Sequence, residues 1–268
     1  MTLGVAAGRV RRVGAGLLDG LLDLVLPATC AGCDEPAARV LCERCQAAFA
    51  GVRPERTRPD PEPDGMPPTF ALAAYAGALG RAIVQYKEEN RHELTGALGG
   101  MLARVVPRAL AGHAGPVVLV AVPATAAAVR KRHGDHMLRL ARAAARVLRR
   151  QAVAEVAIAR PLRALPKGGD SAELSAAQRA VAARQAFVVH RGRAADLGER
   201  VRRAGAAVVL VDDIVTTGAT LAAASERLAS AGIPVDRAVV LAATQRHEGP
   251  GSRPRSTRAA SRRGGARS

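Results

Sequence analysis

Val208-Val209-Leu210-Val211-Asp212-Asp213-Ile214-Val215-Thr216-Thr217-Gly218-Ala219-Thr220 is the stretch from which the fold can be read. Four consecutive branched aliphatics are too few for a helix and suit a parallel strand covered on both faces. The acids then sit at the carboxyl end of that strand, where ligands bind in open α/β sheets. Beyond them, Gly218 allows close backbone approach, and Thr216, Thr217 and Thr220 offer hydroxyls. The first free N–H groups of the following helix, from Ala219 on, would face an anion. Asp212 and Asp213 would repel a bare phosphate. Their place beside an anion cradle makes sense if they meet sugar hydroxyls or a hard divalent cation such as Mg²⁺.

The segment resembles the signature loop of type I phosphoribosyltransferases: aliphatics, two acids, two variable residues, then Thr-Gly-x-Thr. That resemblance implies that Asp212 and Asp213 act in catalysis by holding the ribose hydroxyls of phosphoribosyl pyrophosphate, often with Mg²⁺. It also implies that Thr216, Thr217, Gly218, Ala219 and Thr220 wrap the 5′-phosphate. Two other readings stand beside it. One is a purely structural strand-turn-helix with the Asp pair as a cap. The other is the acidic strand of an ATPase, which requires a Gly-x-x-x-x-Gly-Lys-Ser/Thr loop. The chain's only lysines are Lys87, Lys131 and Lys167, and none follows a glycine.

A chain of 268 residues with 49% hydrophobic content holds one ordinary domain plus a small module. The net charge of +17 invites a nucleic-acid partner, but charge of this kind speaks to solubility and non-specific association. Aromatic content of 2% argues against a platform on which single-stranded bases stack.

Residues 1–25 read as an amphipathic helix. Arg9, Arg11 and Arg12 precede an apolar stretch, but Asp19 and Asp23 interrupt the core that a secretion signal requires. A cytoplasmic location without a membrane span is therefore expected. Residues 26–50 contain Cys30-Ala-Gly-Cys33 and Cys42-Glu-Arg-Cys45, which together use all four cysteines. Two such knuckles can close a tetrahedral thiolate site around structural Zn²⁺. Two disulfides or a redox pair are the alternatives. Residues 51–68 carry prolines at 54, 59, 61, 63, 67 and 68 and read as a linker without helix or central strand.

The domain over 69–245 begins with a strand at Phe70–Tyr75 and helical segments over about 79–110. A strand at Val117–Val122, a basic loop and an amphipathic helix through Met137, Leu140, Ala144 and Leu148 follow. Further strands are expected at Val153–Ala159 and Ala186–Val189, with a mobile-looking polar segment, 161–179, between them. The signature strand, a helix over about 219–231 and a strand over about 237–243 form a βαβ unit. Residues 246–268 are Arg-, Ser- and Gly-rich and read as a disordered basic tail.

The four-cysteine knuckle, Tyr86-Lys87 in a helix, a strand ending Val122-Pro123 before a basic loop, Leu-Ser-x-x-x-Arg at Leu174–Arg179 and the signature occur in the order seen in ComF family proteins. The resemblance spans roughly residues 20–245. It implies an α/β fold of the type I phosphoribosyltransferase kind, with a mostly parallel sheet flanked by helices and a zinc-ribbon N-terminus. It also implies possible transfer of a phosphoribosyl group to an unknown acceptor. The alternative is a non-catalytic binding module in DNA uptake, engaging single-stranded DNA or a helicase-like partner. Where the family often has Arg-Gly-Phe-Asn-Gln, this chain has Arg132-His133-Gly134-Asp135-His136, a departure that falls on the acceptor side.

Arg130, Lys131 and Arg132 are candidate pyrophosphate contacts or a solvated charge run. Lys87 is a ligand contact or a helix-surface residue. His133 and His136, at i and i+3, could approach one ligand, but for want of an acid partner they read as merely polar. If nucleic acid binds at all, the seven arginines after Gln245 should carry it, and neutralising about six phosphates lowers affinity by roughly three decades between 50 and 200 mM salt. Truncation after Gln245 should flatten that dependence in a filter-binding assay. An unchanged salt slope would assign the binding to the folded domain.

Overall fold

The computed structural model describes residues 29–151, 155–166 and 185–244. The expected N-terminal helix, the Leu174–Arg179 element, most of the polar segment and the basic tail lie outside them. A central six-stranded sheet has the order β1-β2-β8-β7-β3-β4. Its strands are β1 Glu55–Thr57, β2 Thr69–Ala74, β3 Val117–Ala121, β4 Val156–Ala159, β7 Ala207–Val215 and β8 Arg237–Ala243. All pairings are parallel except β1 with β2. The chain is therefore α/β with a mostly parallel sheet, as the aliphatic runs require. β5 Leu162–Ala164 and β6 Phe187–Val189 pair antiparallel as a separate ribbon.

The interior strands read as unbroken apolar runs because helices cover both faces. Alternate residues of β7 go to opposite sides. Val209 and Val211 join one buried cluster with α2 Gly77–Glu88, α3 Thr95–Ala109 and α5 His136–Arg150. Val208 and Leu210 join a second cluster with α6 Arg191–Ala204 and α7 Ala219–Ala229. α5 starts where Asp135 accepts the Leu138 N–H at 3.0 Å, a side-chain N-cap that satisfies one orphan donor. Its face of Met137, Leu140, Ala141, Ala144 and Leu148 is buried. Gly99 of α3 lies against it so closely that an added Cβ would strike the Cβ of Ala143.

The proline-rich stretch holds no helix or central strand, as its prolines require, but it is more than a linker. It contributes β1 as an edge strand, with Glu55 opposite Ala71. An edge is where proline-flanked strands are tolerated, because one side needs no partner. The stretch is also no spacer between independent units. Cys30, Leu41, Cys45 and Phe49 share one apolar cluster with Leu79, Ile83, Leu98 and Leu102, so the cysteine segment is packed on the sheet domain. Arg104 of α3 reinforces this by donating to the carbonyls of Phe49 and Ala50, at 2.6 and 2.8 Å, and of Val52. The first two are orphan carbonyls at the end of α1 Glu43–Ala50.

α6 was not anticipated from the sequence. Its apolar stripe is only Ala194, Leu197 and Val201 among arginines, although His190 at the N-cap and left-handed Gly205 (φ 58°) at the C-cap frame it.

Gly99→Val should destabilise the protein by about 1–3 kcal/mol, the usual range for overpacking a tight helix contact. Thermal or urea denaturation measures it, and a variant as stable as the wild type would contradict the α3–α5 packing.

Candidate functional site

β3 leads through α4 Ala126–Lys131 and α5 to β4 on one side of the sheet, whereas β7 leads through α7 to β8 on the other. The chain thus diverges between β3 and β7, and such a switch point opens a crevice at the carboxyl ends of the strands. The last sheet bond there is Val122 N–H to the Val211 carbonyl, 2.9 Å. Pro123 then turns the β3 chain away, and Asp212 and Asp213 follow on β7. A cavity of about 690 Å³ sits at this point. Its lining includes Lys87, Thr125, Arg132, His136, Asp212, Asp213, Thr216 and Thr220, with Tyr75, Val122, Met137 and Phe187 as apolar walls.

The two acids are not equivalent. Asp213 continues the phase of Val209 and Val211, toward α2 and α5, and is 5% exposed. Lys87 Nζ lies 3.1 Å from its Oδ1 and 3.0 Å from its Oδ2. His136 Nε2 lies 3.1 Å from Oδ2. Burial would raise the Asp213 carboxyl, but the His136 hydrogen bond and the Lys87 charge outweigh it and hold it below the usual carboxylate range. Asp212 uses Oδ1 to accept the Asp213 N–H at 2.9 Å. Burial, and then the negative charge of Asp213, push Asp212 up to about 8. A carboxyl so placed gains from a cation or from hydroxyl donors.

The turn after the acids supplies the anion side. Thr216, Thr217 and Thr220 are exposed. Gly218, at φ 75°, is the N-cap of α7 and offers no side-chain cap to the helix. Thr217 Oγ1 accepts the Ala219 N–H only at 3.4 Å. Gly218 has a second duty as well: a Cβ there would strike Met66 Sδ and lie 3.1 and 3.2 Å from Pro59 and Pro63. The proline-rich stretch therefore packs on the turn at Gly218, and Thr217, Gly218 and Ala219 do not belong to the cavity lining.

The candidate basic residues divide. Lys131 and Arg132 each reach Glu88 at 2.8 Å, and their hydrogen bonds lower that carboxyl to about 2. Arg132 also lines the cavity, and its Nε is buried with no partner among the described residues. Arg130 is exposed and does not belong to the lining. His133 is exposed and serves Arg139 through its carbonyl, 2.6 Å. His136 corrects the sequence reading. It is 4% exposed and has the acid partner that its spacing did not reveal, while its Nδ1 is buried with no partner among the described residues. The pairing with Asp213 spans 77 residues, so no local pattern could have shown it.

Cys30, Cys33, Cys42 and Cys45 bring their sulfurs within 4.8 Å of one another, and all four are free thiols. Around a tetrahedral Zn²⁺ with bonds of about 2.3 Å, sulfurs stand about 3.8 Å apart, and Cys33 and Cys42 are already at 3.6 Å. The Cys42 and Gly32 N–H groups donate to Cys30 Sγ at 3.2 and 3.4 Å. Burial opposes ionisation of Cys30, but these donors pull its thiol down to about 6. Burial and the neighbouring sulfurs push Cys45 up to about 12. Such a cluster can hold one metal ion, with no ligand position left for chemistry.

No helix among the described residues is long and apolar enough to cross a membrane. No protein-family profile matches the chain, and no curated protein matches it.

About one zinc per chain should be found by metal analysis of protein purified under reducing conditions without chelators. Cys42→Ser should lose it and lower the single melting transition of the whole domain. Zinc-free wild-type protein, or a second transition confined to the cysteine segment, would contradict this.

Proposed function

We propose that the cavity binds a 5-phosphorylated ribosyl group with Mg²⁺, as phosphoribosyl pyrophosphate or a ribose 5-phosphate-bearing nucleotide, and supports transfer of that group to an acceptor. One observation carries the reading: a half-buried carboxylate, a buried one and the threonines Thr216 and Thr220 flanking the start of α7 line one cavity at the switch point of a parallel sheet. Acids and an anion cradle side by side fit a ligand with hydroxyls at one end and phosphate at the other. The sheet would then be that of a type I phosphoribosyltransferase, as the resemblance to ComF family proteins implies.

In this reading the 5-phosphate takes the hydroxyls of Thr216, Thr217 and Thr220 and the first N–H groups of α7. The ribose hydroxyls donate to Asp212, whose Oδ2 has no partner among the described residues. A hard cation also fits, because the carboxylate oxygens here are what Mg²⁺ prefers. When bound, it would neutralise the pyrophosphate as a leaving group. Transfer forms a bond between the acceptor and the anomeric carbon as the bond to pyrophosphate breaks, with the electron pair leaving on pyrophosphate. The walls of Tyr75 and Phe187, two of five aromatics in the chain, exclude water from that carbon. The cysteine cluster stands apart from this chemistry and would hold structural Zn²⁺.

Titration calorimetry with phosphoribosyl pyrophosphate should give Mg²⁺-assisted binding. Asp212→Asn should weaken it by about ten- to a hundredfold, the worth of a hydrogen bond to a charged group, while leaving the melting temperature unchanged. Asp213→Asn should also destabilise the fold by roughly 1–3 kcal/mol, because its buried partners lose their counter-charge. Wild-type protein that ignores all such ligands at millimolar concentration would overturn the proposal.

A further inference from the structure

Both oxygens of Asp213 are engaged, by Lys87 on Oδ1 and Oδ2 and by His136 on Oδ2. A cation that reaches Asp213 therefore meets the Lys87 ammonium already seated across both oxygens. His136 is fixed. Its side chain is 5% exposed, its ring packs near Tyr86, and its carbonyl accepts the Tyr86 hydroxyl at 3.1 Å. Lys87 is the movable partner. Its side chain is 21% exposed, it stands at the last turn of α2, and its ammonium rides on a flexible four-carbon stem.

We propose that Lys87 is a two-position specificity residue, occupying the cation place on Asp213 in the free protein and moving to the pyrophosphate when ligand and divalent cation enter. The proposal deepens the ribosyl-phosphate reading and rests on it for the second position only.

Charge placement drives the exchange. An ammonium 3.0 Å from Asp213 repels an incoming divalent ion, so the free protein should hold Mg²⁺ or Mn²⁺ weakly. A ligand bearing pyrophosphate gives the displaced ammonium a new counter-ion in the same cavity, but ribose 5-phosphate gives it none near the anomeric carbon. Lys87 thereby selects a ligand that still carries its leaving group. Arg132 also lines the cavity, but its charge is already shared with Glu88.

The test uses the full chain and Mn²⁺ alone, followed by electron paramagnetic resonance. Lys87→Gln should bind Mn²⁺ about tenfold more tightly than the wild type, since the competing charge is gone. Lys87→Arg keeps the charge on Asp213 and should stay within about twofold of the wild type, which keeps the test decisive should the glutamine variant be unstable. A gain in Lys87→Arg, or no gain in Lys87→Gln, overturns the cation position, whatever the ligand does. In calorimetry with Mg²⁺, Lys87→Gln should lose about ten- to a hundredfold for phosphoribosyl pyrophosphate and less than about threefold for ribose 5-phosphate. Equal losses for the two would overturn the pyrophosphate position. If neither ligand binds the wild type, the ribosyl-phosphate reading fails and this second position falls with it, and the Mn²⁺ result stands alone.

Discussion

A buried carboxylate must be paired, and in this protein that constraint falls on Asp213. Leaving it alone at the end of a strand packed on both faces would be costly enough to neutralise it. Its partners come from far away in the chain, Lys87 on α2 and His136 on α5. The ion pair therefore fixes where two helices end relative to the central strand, and with them the shape of the cavity. Removing one member of such a pair is much more damaging than never having built it, so the site and the fold share residues.

Helix α2 carries this constraint outward. Arg81 donates to the Gly32 carbonyl at 2.7 Å and Gln85 to Asp34 at 3.0 Å, which clasps the first cysteine knuckle. One turn on, Tyr86 holds the start of α5, Lys87 holds Asp213, and Glu88 gathers Lys131 and Arg132 from the end of α4 and the residue after it. Twelve residues thus tie the cysteine cluster to the cavity at the switch point. The apolar face of the same helix, Leu79, Ala82 and Ile83, is buried in the core the two regions share. A metal ion that stiffens the knuckles would stiffen the cavity through this helix, although no knuckle residue lines it.

Much of the architecture was legible because it is written in short-range patterns. The aliphatic runs of β3, β7 and β8 gave their parallel pairing, the i, i+3, i+4 spacing from Met137 to Leu148 gave α5, and the twin C-x-x-C pairs gave the sulfur cluster. The same pattern placed Asp212, Asp213 and the threonine turn between the central strand and the helix that follows it. What escaped was long-range or weakly patterned. The partners of Asp213 lie 126 and 77 residues away, and nothing around Lys87 or His136 announces them. The packing of Met66, Pro59 and Pro63 on Gly218 escaped because proline-rich sequence reads as linker whether or not it finds a surface. Lys131 and Arg132 looked free for an anion only because Glu88 stands 43 and 44 residues before them.

The most direct measurement is a crystal structure of the protein soaked with phosphoribosyl pyrophosphate and Mn²⁺, with anomalous scattering to locate the metal. The 5-phosphate should lie against Thr216–Thr220, the ribose hydroxyls on Asp212 and the metal between the acids and the pyrophosphate, with the Lys87 ammonium withdrawn from Asp213. Phosphate bound away from the α7 N-terminus, or a ligand in the cavity with Lys87 still seated on Asp213, would contradict this placement.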